Sequence, residues 1–306
     1  MTKRSRNNPK RQPTPPVRTA AGNTHPTGGT PARKPGPTTP APGSKAAAGR
    51  VTTDPKVYDG LRRFNLIMGG LHLVQSVAMV VLSTSKTYPI TTDFFRFDTA
   101  TRSLVNTPAV WADLPFGPAV ALFLFISAVA HFILGTVGNS RYNANLAKGM
   151  NPVRFYEYAL SSSWMIVLIG ILVGITNLGA LIGMFGVNAA MNLFGIMMEK
   201  QNQTTQKTDW TSFIYGCIAG IFPWIVILIW FLSAVGSSDA KPPSFVYAIV
   251  PTLFVFFNCF AINMYLQYSK KGKWRDYLFG ERVYIILSLT AKTVLAWIIW
   301  SGTLAP

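Results

Sequence analysis

The sequence predicts an all-α fold, a bundle of seven transmembrane helices with a short β-hairpin in the first extracellular loop. Three observations predict it. Hydrophobic residues make up 49% of the 306 and charged residues only 13%, where a soluble domain carries about 25% charge. Seven apolar stretches are each long enough to cross a bilayer core, which takes ~20 helical residues. Basic residues gather at alternate ends of those stretches, as topology signals do.

The first element is a tail. The chain carries 28 Lys and Arg against 11 Asp and Glu, a net charge of +17. Residues 1–50 hold ten of those basic residues, no acid, and ten of the 21 prolines, leaving 18 cations against 11 acids, or +7, for residues 51–306. Such a segment cannot bury enough surface to offset its ordering entropy, so residues 1–56 are expected to be a disordered basic tail. It lacks the apolar core of a secretory signal peptide. A solvated topology determinant and a tether to an anionic surface both fit it. A soluble nucleic-acid binder of this charge would be rich in Lys and Arg throughout. Here the excess is confined to one segment of an apolar chain, and no nucleic-acid partner is expected. Two cysteines, Cys217 and Cys259, both within spans, exclude a secreted disulfide scaffold.

The membrane domain occupies residues 57–306. Its spans are expected at about 60–83, 116–138, 152–175, 178–199, 211–235, 244–268 and 281–303. Pro223 and Pro251 fall inside spans five and six, tolerable where neighbouring helices satisfy the freed backbone groups. The one long connection, 83–115, carries two apolar-rich runs, Phe94 to Phe97 and Arg102 to Val105, around the polar turn Asp98 to Thr101. That pattern predicts the hairpin.

Orientation follows from charge. One side holds Arg141, Lys148, Lys200, Lys207, Lys270, Lys271, Lys273 and Arg275, besides the tail. The other holds Lys86, Arg96, Arg102 and Lys241. The N-terminus is therefore expected in the cytoplasm and the C-terminus outside, in a multi-pass protein of the plasma membrane.

Arg62, Arg63, Arg154, Glu199, Glu281 and Arg282 lie near span ends, where their charged heads are expected to snorkel. That leaves Glu157 and Lys292 as interior charges, with His72 and His131 as titratable neutrals. An intramembrane Lys calls for a partner or a function. One reading is a structural Lys–Glu ion pair. The other is chemistry: desolvation favours the neutral, nucleophilic amine of a Lys, which suits Schiff-base formation with a carbonyl compound. A Schiff base kept protonated in a low dielectric needs a carboxylate, and Glu157 is the one expected inside. Lys292 lies about 16 Å into its helix and Glu157 about 8 Å, and a Lys side chain leaning toward its helix N-terminus narrows that gap.

Seven helices, a Lys in the middle of the seventh and a carboxylate in the third resemble a retinal-binding rhodopsin. The inverted topology, the Glu157-Tyr158 pair, the run Ser288 to Lys292 (Ser-Leu-Thr-Ala-Lys), the long first exoloop and the paired His72 and His131 narrow the resemblance to the heliorhodopsins. It covers roughly residues 57–304 and leaves the tail outside. The resemblance implies all-trans retinal bound covalently to Lys292, with Glu157 as counterion. It implies a light sensor and not an enzyme, a homodimer, and no metal. Pumping rhodopsins place a second carboxylate four residues before the Lys; here that position is Ser288, on the same helical face. Ser161 and Ser162 fall beside Glu157, to tune the counterion or to bond within the helices. Trp164, Asn188, Met191, Phe256, Phe257 and Trp297 are the expected walls of a retinal slot, with ordinary packing as the alternative for each.

A pump needs donor and release groups, usually carboxylates, on opposite sides of the membrane. His72 and His131 are expected at similar depth, ~14 Å from the cytoplasmic face. They are expected to share a polar cavity with Glu157 and take up a proton without releasing it, or else to be hydrogen-bonded core residues. The cytoplasmic loop Lys270-Lys271-Gly272-Lys273-Trp274-Arg275 is the candidate contact for an unidentified signalling partner, or a topology determinant only. Gly216 and Gly220 have the small-xxx-small spacing of close helix approach. Three functions remain open: a light sensor, a light-driven or light-gated ion transporter, and a retinal-free bundle in which Lys292 and Glu157 only pair.

Overall fold

The computed structural model describes residues 54–236 and 243–306. The expected tail lies almost wholly outside the described residues, as does Lys241. The elements run α1 (Pro55–Leu82), β1 (Thr87–Asp98), β2 (Ser103–Pro115), α2 (Phe116–Gly135), α3 (Asn139–Leu146), α4 (Pro152–Leu172), α5 (Leu178–Gln201), α6 (Thr211–Gly236), α7 (Ser244–Tyr268), a 3-10 turn (Gly272–Arg275) and α8 (Tyr277–Ile299). Helix α8 runs on into one π turn (Trp300–Leu304).

Seven of these helices are long and apolar enough to cross a membrane, and the chain is a multi-pass membrane protein. Each span lies close to its expected position. The sequence did not announce α3, eight residues of mostly polar side chains.

Side-chain caps fix the helix starts. Asp54, Asn151, Asn177 and Asp276 each accept a backbone N–H from the first turn of α1, α4, α5 and α8. Such caps satisfy donors that a helix cannot satisfy internally. Pro55 and Pro152 occupy first-turn positions, where a missing N–H costs nothing. Pro223 and Pro251 sit inside α6 and α7, which continue through them.

The hairpin is longer than the sequence suggested, with strands of 12 and 13 residues in antiparallel register from Thr87↔Pro115 to Asp98↔Ser103. A bulge between Ile90 and Thr91 breaks that register. At the turn, Asp98 accepts the Ala100 N–H at 2.9 Å and the Thr101 hydroxyl at 3.0 Å. Those donors hold its carboxyl below its ordinary value. The far end of the hairpin docks on the α4–α5 turn. The Thr91 N–H donates to the Thr176 carbonyl at 2.9 Å, and Asn177 Nδ2 donates to Asp93 at 2.7 Å.

Large apolar side chains such as Val74, Val81, Ile218 and Ile229 point outward, as the lipid-facing surface of a bundle requires. The interior toward the hairpin is apolar, built on Phe123, Ile166, Ile169, Ile227, Leu253 and Leu295. Polar groups concentrate toward the opposite end, where α1 begins and α4 and α8 start. Gly216 and Gly220 pack on α5 of the same chain, where Met191 fills the space a Gly220 side chain would take.

Candidate functional site

Helix α8 carries Lys292 three turns beyond Glu281, and the side chain is only 3% exposed. Its Nζ donates to Glu157 Oε1 at 3.0 Å and to Ser288 Oγ at 2.7 Å. Ser288 lies four residues earlier on the same face. Glu157 comes from α4 and is 9% exposed. The difference in depth expected from sequence is closed: the two charges meet directly. Tyr158 places its ring 5.1 Å from Nζ, within cation–π range.

A residue missed by the sequence reading completes this pair. Ser127, on α2, donates its hydroxyl to Glu157 Oε1 at 2.6 Å. It also lies 3.1 Å from the Phe123 carbonyl. A hydroxyl has one proton, and the shorter, charged acceptor takes it. Serine is common on helices and has no sequence signal for this role. Ser161, expected beside the same carboxylate, is fully buried and its hydroxyl has no hydrogen-bond partner.

A cavity of about 390 Å³ opens beside Lys292. Tyr158, Met165, Met191, Phe257, Phe260 and Ala291 give it apolar walls, while Ser162, Asn192 and Ser288 supply polar ones. A second cavity of about 570 Å³ shares Tyr158, Met191, Asn192, Phe257 and Phe260 with it and continues past Gly216 and Cys217. Apolar and aromatic walls with a few convergent polar groups are the lining of a small-molecule site.

The expected wall residues divide. Met191 and Phe257 line both cavities. Ser162 lines the first, and its hydroxyl accepts from Asn188 and Asn192, each at 3.0 Å. Asn188 stands behind it and lines neither cavity. Trp164 turns to α2, where its indole donates to the Ala119 carbonyl at 2.7 Å. Trp297 turns to α1 and donates to Gln75 at 3.0 Å. Phe256 lines neither cavity, while its neighbour Phe257 lines both. Asn192, Phe260 and Met264 were missed. Asn192 follows Asn188 by one helical turn, a spacing that the sequence does show.

His72 and His131 stack with ring centroids 5.5 Å apart and planes 13° from parallel. Antiparallel α1 and α2 place them at one level, as expected. His131 Nδ1 lies 2.8 Å from Asn65 Oδ1. His72 is fully buried, and neither ring nitrogen has a hydrogen-bond partner.

The structure overturns the snorkelling expected of three boundary charges. Arg154, Glu199 and Glu281 are buried and form one cluster, with Arg154 paired to Glu281 and, at 2.5 Å, to Glu199. Every carboxylate oxygen accepts. Glu281 takes Tyr142 Oη at 2.9 Å and Asn151 Nδ2 at 2.7 Å; Glu199 takes Tyr277 Oη at 2.8 Å and the Asn151 N–H at 2.7 Å. The Tyr284 ring stacks 3.9 Å from the guanidinium carbon. Helix ends bound the apolar stretch, but Tyr142 of the added helix α3 and Tyr277 of α8 fold over these ends and bond to the carboxylates. Glu157 is thus not the single interior carboxylate. Arg62, Arg63 and Arg282 are not buried in this way. A cavity of about 330 Å³ links the two charged sites, lined by Glu157 and Ser288 on one side and Arg154 and Glu281 on the other, with Asn65 and His131 between.

A family model described as Heliorhodopsin matches residues 61–304. No curated protein matches the chain.

Proposed function

Because the chain belongs to the heliorhodopsin family, a family of rhodopsin-type light-sensing membrane proteins, we propose that it binds all-trans retinal covalently through Lys292 and signals light without pumping ions. The observation that carries this reading is the Lys292–Glu157 contact at 3.0 Å beside an apolar cavity. A buried amine at the mouth of a slot walled by Tyr158, Met191, Phe257 and Phe260 fits an apolar polyene aldehyde. Bound as a protonated Schiff base, retinal would supply visible absorption and a light-driven isomerisation.

The protein's own residues hold the charge. Glu157 is the counterion, and Ser127 and Ser288 fix its position and that of the Lys292 nitrogen. Tyr158 closes one wall and donates to the Tyr284 carbonyl at 3.1 Å, tying α4 to α8 beside the site. Met191 and Phe257 exclude water from the slot. His131 and His72 belong to the polar side, where a proton leaving the site stays inside the protein.

Retention is supported by what lies toward the hairpin. Among the described residues, no Asp or Glu is buried between Glu157 and that end. The transport alternative has its own supporting observation: Glu281 lines the cavity that Glu157 lines. Illuminating cells in weakly buffered medium separates the two. Sensing predicts no sustained change in external pH; a change abolished by protonophore favours pumping.

The exposed basic loops support an N-terminus in the cytoplasm. Lys270, Lys271, Lys273 and Arg275 are exposed on the α7–α8 turn, and Trp274 anchors that turn by donating to Asn263 at 2.6 Å. This turn is the proposed contact for a signalling partner, in a protein that acts as a homodimer in the plasma membrane.

The decisive test is the visible spectrum of purified protein with and without all-trans retinal. The wild type should gain a visible band and Lys292→Ala should lack it. A colourless wild type would overturn the photochemical reading and leave Lys292 and Glu157 as a structural pair.

A further inference from the structure

Five charged side chains are buried in the bundle among the described residues: Arg154, Glu157, Glu199, Glu281 and Lys292. Two cations face three carboxylates, so one negative charge is left over. A net charge in a low-dielectric interior is costly, and the usual remedy is a proton. Lys292 and Glu157 match one to one at 3.0 Å. The excess therefore falls on Arg154, a single guanidinium held between Glu199 and Glu281.

Among the described residues, the surroundings supply no second buried cation. Tyr142 from α3 brings its hydroxyl to Glu281 and Tyr277 from α8 brings its hydroxyl to Glu199, while Tyr284 offers its ring to Arg154. Tyr158 of α4 lines the cavity on the Lys292 side, its hydroxyl held by the Tyr284 carbonyl at 3.1 Å. Hydroxyls donate to a carboxylate and accept from a carboxylic acid, so they accommodate either form. The remaining titratable group on the cavity is His131, whose Nδ1 is tied to Asn65 at 2.8 Å.

Two carboxylates flank one guanidinium, so the uncompensated charge belongs to the pair. We infer that Glu199 and Glu281 together hold one proton across Arg154, and that Glu281 is the member through which it exchanges. Glu281 lines the cavity of about 330 Å³ that also reaches Glu157 and Ser288, whereas Glu199 does not. A second observation points into the same space. Arg154 lines that cavity, and its buried Nε has no hydrogen-bond partner. A site with an unmet donor beside Asn65, Asn151 and Glu281 is polar enough to order water, the medium a mobile proton needs. From Glu281 a hydrogen-bonded series runs through Tyr142 at 2.9 Å and Asn65 at 3.5 Å to His131. The cluster is thus a proton-binding site joined by a polar cavity to the Lys292–Glu157 pair.

This inference stands on the buried charges and does not depend on a bound chromophore. The test uses the full chain, purified without retinal, and infrared spectroscopy at neutral pH in H2O and D2O. The wild type should show a carbonyl stretch of a protonated carboxyl that shifts on deuteration. Glu281→Gln and Glu199→Gln should each lose it, because the surviving carboxylate then pairs alone with Arg154. Both variants should fold, since each keeps the cluster neutral, and their melting curves check this. Absence of the band in the wild type overturns the inference whatever the variants do. Persistence of the band in both variants overturns it as well, placing the proton elsewhere.

Discussion

Ser127 and Lys292 donate to the same oxygen of Glu157, at 2.6 Å and 3.0 Å. One comes from α2 and the other from α8, so the carboxylate of α4 is the point where three helices meet. A hydrogen bond to a charged acceptor contributes about 1.5–3 kcal/mol, and this one draws negative charge away from the Lys292 nitrogen. Ser127→Ala should concentrate that charge on the site. In protein reconstituted with retinal, the visible band should move to shorter wavelength. Glu157→Gln should do the opposite, moving it strongly to the red or losing retinal. An unchanged spectrum in Ser127→Ala would mean that the bond does not persist in the loaded protein.

The cavity walls give a contrast between residues of similar type. Met191 and Phe257 line both cavities, whereas Phe256 and Trp297 line neither. Met191→Ala and Phe257→Ala should shift the visible maximum or slow the uptake of retinal. Phe256→Ala and Trp297→Phe should leave both unchanged, though Trp297→Phe gives up the bond to Gln75. Absorption spectra and reconstitution time courses of the four variants check this.

Among the described residues, Arg154 is the one cation between the buried carboxylates Glu199 and Glu281. Removing one partner of a buried charge network costs about 3–5 kcal/mol. Arg154→Ala should lower the melting temperature and the yield of folded protein far more than Arg63→Ala, whose side chain is exposed. Thermal melts of the two purified variants make the comparison. Equal melting temperatures would show that the cluster adds nothing to stability.

The orientation is testable without light. An epitope at the C-terminus should be labelled by antibody on intact cells of a heterologous host. One at the N-terminus should be labelled only after permeabilisation. The reverse pattern would place the basic loops outside.

Much of this was written in the chain itself. Apolar runs of span length specify seven helices because a bilayer leaves the backbone no other open solution. Capping residues such as Asn151 and Asp276 mark helix starts within a few residues. Lys292 and Glu157 stood out because a charge far from any span end is rare and needs an explanation. The hairpin was visible as paired apolar runs, but its length was not, because its outer residues pair only once Thr91 and Asn177 fix its base.

Sequence alone could not say which charges near span ends are wet. Arg154, Glu199 and Glu281 read as snorkelling residues, since position along one helix measures depth and says nothing of what covers the end. Their burial depends on Tyr142 of α3 and Tyr277 of α8, residues distant in sequence from Arg154. The same holds for Ser127 and for the split between Phe256 and Phe257: adjacent residues on a helix point about 100° apart, and only packing decides which direction is the cavity. The sequence determined the spans, the pair of charges at mid-bundle and the family. The tertiary structure decided which helix faces meet, and with them the second donor on Glu157, the walls of the slot and the buried second charge cluster.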